Sequence, residues 1–255
     1  MPDRATVLTS ALLLVLAAAA WVSVVRSSLQ GDNMMMTMPM PATWAAGTVF
    51  VLGWAVMMAA MMLPSALPMI SLYGAIHRSK VAPAHRVIAQ GVSVAGFAAV
   101  YLVVWAGSGV PVYLAHTALM AVPGSGFAYG IAVVLAAAGV FQLSPLKGAC
   151  LRACRSPLGF LLGHWRPGRW ASLTLGWYHA IYCLGCCWAL MLVLVAAGAM
   201  GLRWVLLITA VVAAEKLLPG GEWIARATGV ALVVLGVTVA LRPELAMVLR
   251  GAHPM

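Results

Sequence analysis

Residues 171–199, ASLTLGWYHAIYCLGCCWALMLVLVAAGA, contain no Asp, Glu, Lys or Arg. A helix needs about 20 apolar residues to cross a hydrocarbon core of about 30 Å, and this stretch is long enough. Inside a membrane every backbone N–H and C=O must find its partner within the segment, so such a run folds as a helix. Six further apolar runs lie at about 5–25, 44–63 (continuing toward 76), 87–107, 127–143, 204–218 and 224–241. The expected fold class is therefore all-α: a polytopic membrane helix bundle of about seven transmembrane helices.

Composition points the same way. Of 255 residues, 64% are hydrophobic and 8% are charged, where an ordinary soluble domain carries about a quarter charged. Disorder is excluded, because it needs low hydrophobicity and high charge density. The net charge of +10 does not form a basic stripe interleaved with aromatics, so nucleic acid is not an expected partner. The basic residues instead fill the gaps between apolar runs. With the amino terminus in the cytoplasm, Arg4, Arg78, Lys80, Arg86, Lys147, Arg152, Arg155, Arg166, Arg169, Lys216 and Arg226 fall inside. Only Arg26, Arg203, Arg242 and Arg250 then fall outside. The positive-inside rule selects that orientation, in a bacterial cytoplasmic membrane.

Four regions follow. Residues 1–26 form a first transmembrane helix. Arg4 and the small residues Ala17–Ala20 also give it features of a cleaved signal, which would leave six helices. Residues 27–43 form a Met-rich outer loop, 44–242 a six-helix membrane bundle with metal-ligand motifs, and 243–255 a short tail. Pro64 and Pro68 interrupt the second span, where missing backbone donors invite a kink.

Several soft donors fall in register. On a helix, His179, Cys183 and Cys187 share one face, and Cys186 joins the stripe at i+3 from Cys183. Met191 follows one turn later. Met57/Met61 and Met58/Met62 form two adjacent i, i+4 pairs on the second span. Thiolate and thioether are soft ligands that select Cu(I) over hard cations, although Met is also a common core filler. Counted from the inner start of its span, Cys183 lies about 18 Å deep. The Met pairs reach about 20–27 Å down from the outer face, so the two sets overlap if their helices touch. Secondary metal candidates are Met34, Met36, Met38 and Met40 in the outer loop, Met191, and Cys150 and Cys154 in the inner loop 144–170. Lys147, Arg152 and Arg155 near that Cys pair favour thiolate. Glu215, beside Lys216 near the end of the sixth span, has a proton or charge role, pairs with a neighbour, or simply reaches water. His77 and His85 are expected to be solvated, and His116, His164 and His253 receive no role.

The stretches Trp54-Ala-Val-Met-Met-Ala-Ala-Met-Met-Leu-Pro-Ser65, Gln142-Leu-Ser-Pro-Leu-Lys147, Cys150-Leu-Arg-Ala-Cys-Arg-Ser-Pro157, Tyr182-Cys-Leu-Gly-Cys-Cys-Trp-Ala-Leu-Met191 and Glu215-Lys-Leu-Leu-Pro219 resemble a bacterial family of unknown function. Its members are described as predicted metal-binding integral membrane proteins. The resemblance covers residues 45–240 or so. It implies a metal and no established reaction. Its motif positions here are Met57, Met58, Met61, Met62, Cys150, Cys154, His179, Cys183, Cys186, Cys187 and Glu215. Ala180 departs from the Gly expected after the His, and the Met-rich loop lies outside the resemblance.

The expected function is binding of a soft metal, with Cu(I) first and silver or mercury as chemical equivalents, for transport, delivery or buffering across the membrane. The expected partners are lipid, the metal ion, and a metallochaperone or copper enzyme; the oligomeric state is open. Two alternatives use the same residues: a thiol-disulfide oxidoreductase built on Cys183/Cys186, and an assembly factor for a copper enzyme. No catalytic set is assigned, and the absence of a nucleotide-binding motif argues against ATP-driven pumping by this chain.

Overall fold

The computed structural model describes residues 4–30, 43–79, 86–123, 125–165, 168, 170–196 and 201–249. Among these the chain is helical throughout, with no strand. The helices are α1 (Arg4–Leu29), α2 (Trp44–Ser79), α3 (Arg86–Met120), α4 (Ser125–Leu143), α5 (Pro145–Arg155), α6 (Pro157–His164), α7 (Ala171–Ala196), α8 (Leu202–Leu217), α9 (Gly221–Leu241) and α10 (Leu245–Leu249). Six of them, α1, α2, α3, α4, α7 and α9, are long and apolar enough to cross a membrane. The all-α bundle expected from sequence is the fold. The run at 204–218 forms α8, which has 16 residues and so rises only about 24 Å. The inner loop expected at 144–170 is not irregular: it holds α5 and α6, each opened by a proline at its first helical position. Proline suits that position because its missing N–H would have no helical partner. Ser144 caps α5 by accepting a hydrogen bond from the Lys147 amide at 3.2 Å.

Polarity is distributed as lipid demands. Leu12, Val15, Leu52, Val103, Val133 and Trp223 are among the large apolar side chains left exposed. Gln90, Gln142, Lys147, His179, Glu215 and Lys216 are buried. A surface this apolar is stable against hydrocarbon and unstable against water.

The helices pack as a chain of neighbours: α1 on α2, α2 on α3, α3 on α7, and α4 on α9. Lipid tails are as apolar as the packing faces, so close contact between helices supplies the attraction. Small residues permit that contact. A Cβ on Gly139 would stand 2.6 Å from the carbonyl oxygen of Gly229, and one on Gly236 would stand 2.9 Å from that of Ala132. These two sites zip α4 to α9. A Cβ on Gly176 would stand 2.7 Å from the Phe97 carbonyl oxygen, so Gly176 seats α7 against α3. Trp54 adds a polar clasp, donating its indole N–H to the Trp105 carbonyl at 3.2 Å and to Ser108 at 3.1 Å.

Gly176→Val forces α7 off α3 and costs about 1–3 kcal/mol. The expected outcome is a lower unfolding temperature in detergent, read by circular dichroism. Gly163→Ala, where an added Cβ meets nothing within 4 Å, leaves that temperature unchanged or raised.

Candidate metal centre

The centre begins with a buried ion pair. Lys147, at the start of α5, places its ammonium 2.6 Å from a Glu215 carboxylate oxygen, and both residues are 1% exposed. Every available partner is used. Gln142 donates to the other carboxylate oxygen at 2.7 Å, and Lys147 donates to the Cys186 carbonyl at 2.5 Å. Arg155 donates to the Glu215 carbonyl oxygen at 2.6 Å. Desolvated charges are tolerated only with geometry and pairing of this quality. Glu215 therefore neither pairs with Lys216 nor reaches water; it pairs with a neighbouring helix. The network ties the end of α4, the start of α5, the middle of α7 and the last turn of α8.

Consecutive helix residues point about 100° apart, so anchoring Glu215 directs Lys216 to a different neighbour. Its ammonium lies 3.0 Å from Cys183 Sγ, 3.9 Å from Met62 Sδ and 3.5 Å from Ser65 Oγ. Tyr101 Oη lies 3.1 Å from Cys183 Sγ and donates to the Met62 carbonyl at 3.4 Å. The Met-bearing α2 and the Cys-bearing α7 are thus bridged by Tyr101 of α3 and Lys216 of α8.

The thiols continue from there. Cys186 Sγ stands 3.3 Å from Cys187 Sγ and 3.9 Å from Cys154 Sγ, and it donates to the Cys183 carbonyl at 3.1 Å. Cys154 comes from α5, so two helices supply thiol and a third supplies thioether. Gly185 makes room for the approach, since a Cβ there would stand 3.0 Å from Cys150 Sγ. Cys150 and Cys154 are half-buried and lead from the thiol row toward the surface. The basic neighbours do not free the Cys150 thiolate as the sequence reading expects. Burial pushes its thiol up, and the nearby Lys147 charge offsets only part of that. Lys147 is engaged by Glu215, Arg152 by Glu222 at 3.5 Å, and Arg155 by the Glu215 carbonyl.

Other candidates stand apart. Met57, Met58 and Met61 are buried on α2, and of the four paired methionines Met62 is the one that touches the lysine. His179 is buried with its ring 5.5 Å from Tyr101, 5.7 Å from Phe97 and 5.6 Å from Phe160. Its Nδ1 has no hydrogen-bond partner among the described residues. It sits on an aromatic shelf beside the thiols. Met191 lines a cleft with Trp54, Trp105 and Trp188. Met34, Met36, Met38 and Met40 lie outside the described residues, as do His85 and His253. His116 and His164, given no role from sequence, stack on Phe50 and Phe160.

The thiol row is level with the last turns of α4 and α8, through Gln142, Lys147, Glu215 and Lys216.

No group of three or more His, Cys, Asp or Glu among the described residues is arranged to hold a metal ion as it stands. The donor chemistry nevertheless fits a soft ion. Two sulfurs bound tetrahedrally to one metal at about 2.3 Å stand about 3.8 Å apart, close to the 3.9 Å between Cys154 and Cys186. Sequence reasoning overlooks Tyr101, Ser65, Gln142 and Lys216 as site residues. The available signal was polarity inside an apolar run, without the pairing.

Compared with known proteins, the chain matches one family model over residues 51–239: PpoB2, described as a copper chaperone. No curated protein and no solved structure matches.

Lys147→Met leaves Glu215 charged and unpaired in the interior, and costs about 3–5 kcal/mol. Lys147→Met combined with Glu215→Leu removes both charges and recovers at least half of the loss. Thermal unfolding of the three proteins in one detergent checks both outcomes.

Proposed function

We propose, because the chain belongs to the PpoB2 family of copper chaperones, that it receives Cu(I) at the thiol row of α7 and hands it to a copper-requiring protein. The carrying observation is the convergence of sulfur from three helices. Cys183, Cys186 and Cys187 come from α7, Met62 from α2 and Cys154 from α5, all but the half-buried Cys154 being buried. Thiolate and thioether donors favour Cu(I) over the divalent ions that compete for imidazole and carboxylate. Copper here is cargo. A step from buried to half-buried sulfur supports release: Cys186 stands next to Cys154, and Cys154 and Cys150 of α5 are both half-buried. With the amino terminus in the cytoplasm, α5 faces the cytoplasmic side, where a metallochaperone or copper enzyme would dock. The buried methionines of α2 and His179 supply further soft or borderline donors along the path.

The oxidoreductase alternative uses the same Cys183/Cys186 spacing. A specific contact disfavours it: Cys186 Sγ turns to the Cys183 carbonyl, while Cys183 Sγ turns to Lys216 and Tyr101.

The test is metal content. The protein is purified in detergent from copper-supplemented, reduced membranes and compared with the Cys183→Ser, Cys186→Ser, Cys187→Ser triple variant by elemental mass spectrometry. Stoichiometric copper in the wild type and background copper in the variant are expected. A metal-free wild type with Cys183 and Cys186 recovered as a disulfide would overturn the proposal in favour of thiol exchange.

A further inference from the structure

Lys216 is a buried cation with no carboxylate partner. Among the described residues the two other buried charges, Lys147 and Glu215, cancel each other at 2.6 Å. Among the described residues no Asp or Glu lies within ion-pair distance of Lys216. Its contacts are one thiol, one thioether and one hydroxyl: Cys183 Sγ at 3.0 Å, Met62 Sδ at 3.9 Å and Ser65 Oγ at 3.5 Å. A buried ammonium without an anion is costly, and the Cys183 thiol at 3.0 Å is the acidic group in contact with it.

We propose that Lys216 is the charge-balancing residue of the copper site, and that it sets the number of thiolates that hold the ion. This rests on the Cu(I) reading above. One Cu(I) with one thiolate is neutral, so adding the ammonium leaves a net +1 in a low-dielectric interior. One Cu(I) with two thiolates carries −1, and the ammonium brings the cluster to zero. Lys216 therefore favours a two-thiolate site, with Cys183 as one donor and Cys186 or Cys187 as the other. Without the lysine, the neutral state is one thiolate plus neutral donors such as Met62. Lys216 is a positioning residue, since it acts through the thiolates. Its own position is fixed from outside the site, by the Lys147, Gln142 and Arg155 bonds to the preceding residue.

The experiment loads wild type, Lys216→Gln, Lys216→Met, Lys216→Arg and Cys183→Ser with Cu(I) anaerobically in detergent. Affinity is read by competition with a chromophoric Cu(I) chelator, and the sulfur shell by X-ray absorption at the copper edge. Lys216→Gln keeps the hydrogen-bonding reach to Ser65 without the charge, and serves if the Met variant does not purify as a folded protein. The expected result is two short Cu–S bonds in the wild type, with affinity reduced about a hundredfold and one short bond lost in Lys216→Gln and Lys216→Met. Lys216→Arg, which keeps the charge, stays within about threefold of wild type. An uncharged variant with wild-type affinity and an unchanged sulfur shell would overturn the role of Lys216 and leave the copper site standing. A wild type that takes up no Cu(I) overturns both.

Discussion

The Lys147–Glu215 ion pair is the constraint around which the interior is organised. Two opposite charges are held out of water, Lys147 bonded to the Cys186 carbonyl and to Glu215, and Glu215 to Lys147 and Gln142. Such a pair tolerates little displacement, because each lost contact leaves a charge unsolvated in a low dielectric. It joins four helices from three separate parts of the sequence: the junction of α4 and α5, α7, and α8. The ends of α4 and α8 are thereby locked against the middle of α7, and the chain direction of α8 at Glu215 is fixed. The placement of Lys216 follows from that geometry.

Around this anchor the bundle divides its labour. The outer faces of the long helices are apolar and featureless, as contact with lipid requires. The specific contacts lie inward, where Gly176 and Gly185 let α3 and α5 close on the cysteine helix. Aromatic rings of α3 and α6 pack around His179, which is buried. A dry, closed setting strengthens every electrostatic interaction inside it. It also shields thiols from oxidants and competing ligands, which suits a carrier of a soft ion.

The sulfur atoms form a row with two different ends. At the inner end Cys183 is held between Lys216 and Tyr101, next to the thioether of Met62. On α5, Cys150 is half-buried, and burial pushes its thiol up. Donors from separate helices can release an ion by small relative movements of those helices, whereas four ligands on one rigid element could not. This is the physical sense in which the site reads as one for hand-over.

Much of this was written in the sequence. Charge-free runs near 20 residues decide the helical class, because the membrane allows no other arrangement of the backbone. The i, i+4 and i, i+3 spacings of His179, Cys183, Cys186 and Cys187 place them on one face before any tertiary contact exists. The prolines and Ser144 mark the starts of α5 and α6. What the sequence could not contain was which helix faces which. Glu215 and Lys216 are adjacent residues of opposite charge, and nothing local shows that one turns to Lys147 and the other to Cys183. Helical periodicity is a local property fixed by backbone hydrogen bonds. The pairing of buried charges and sulfurs is a long-range property, decided only when the helices pack against one another.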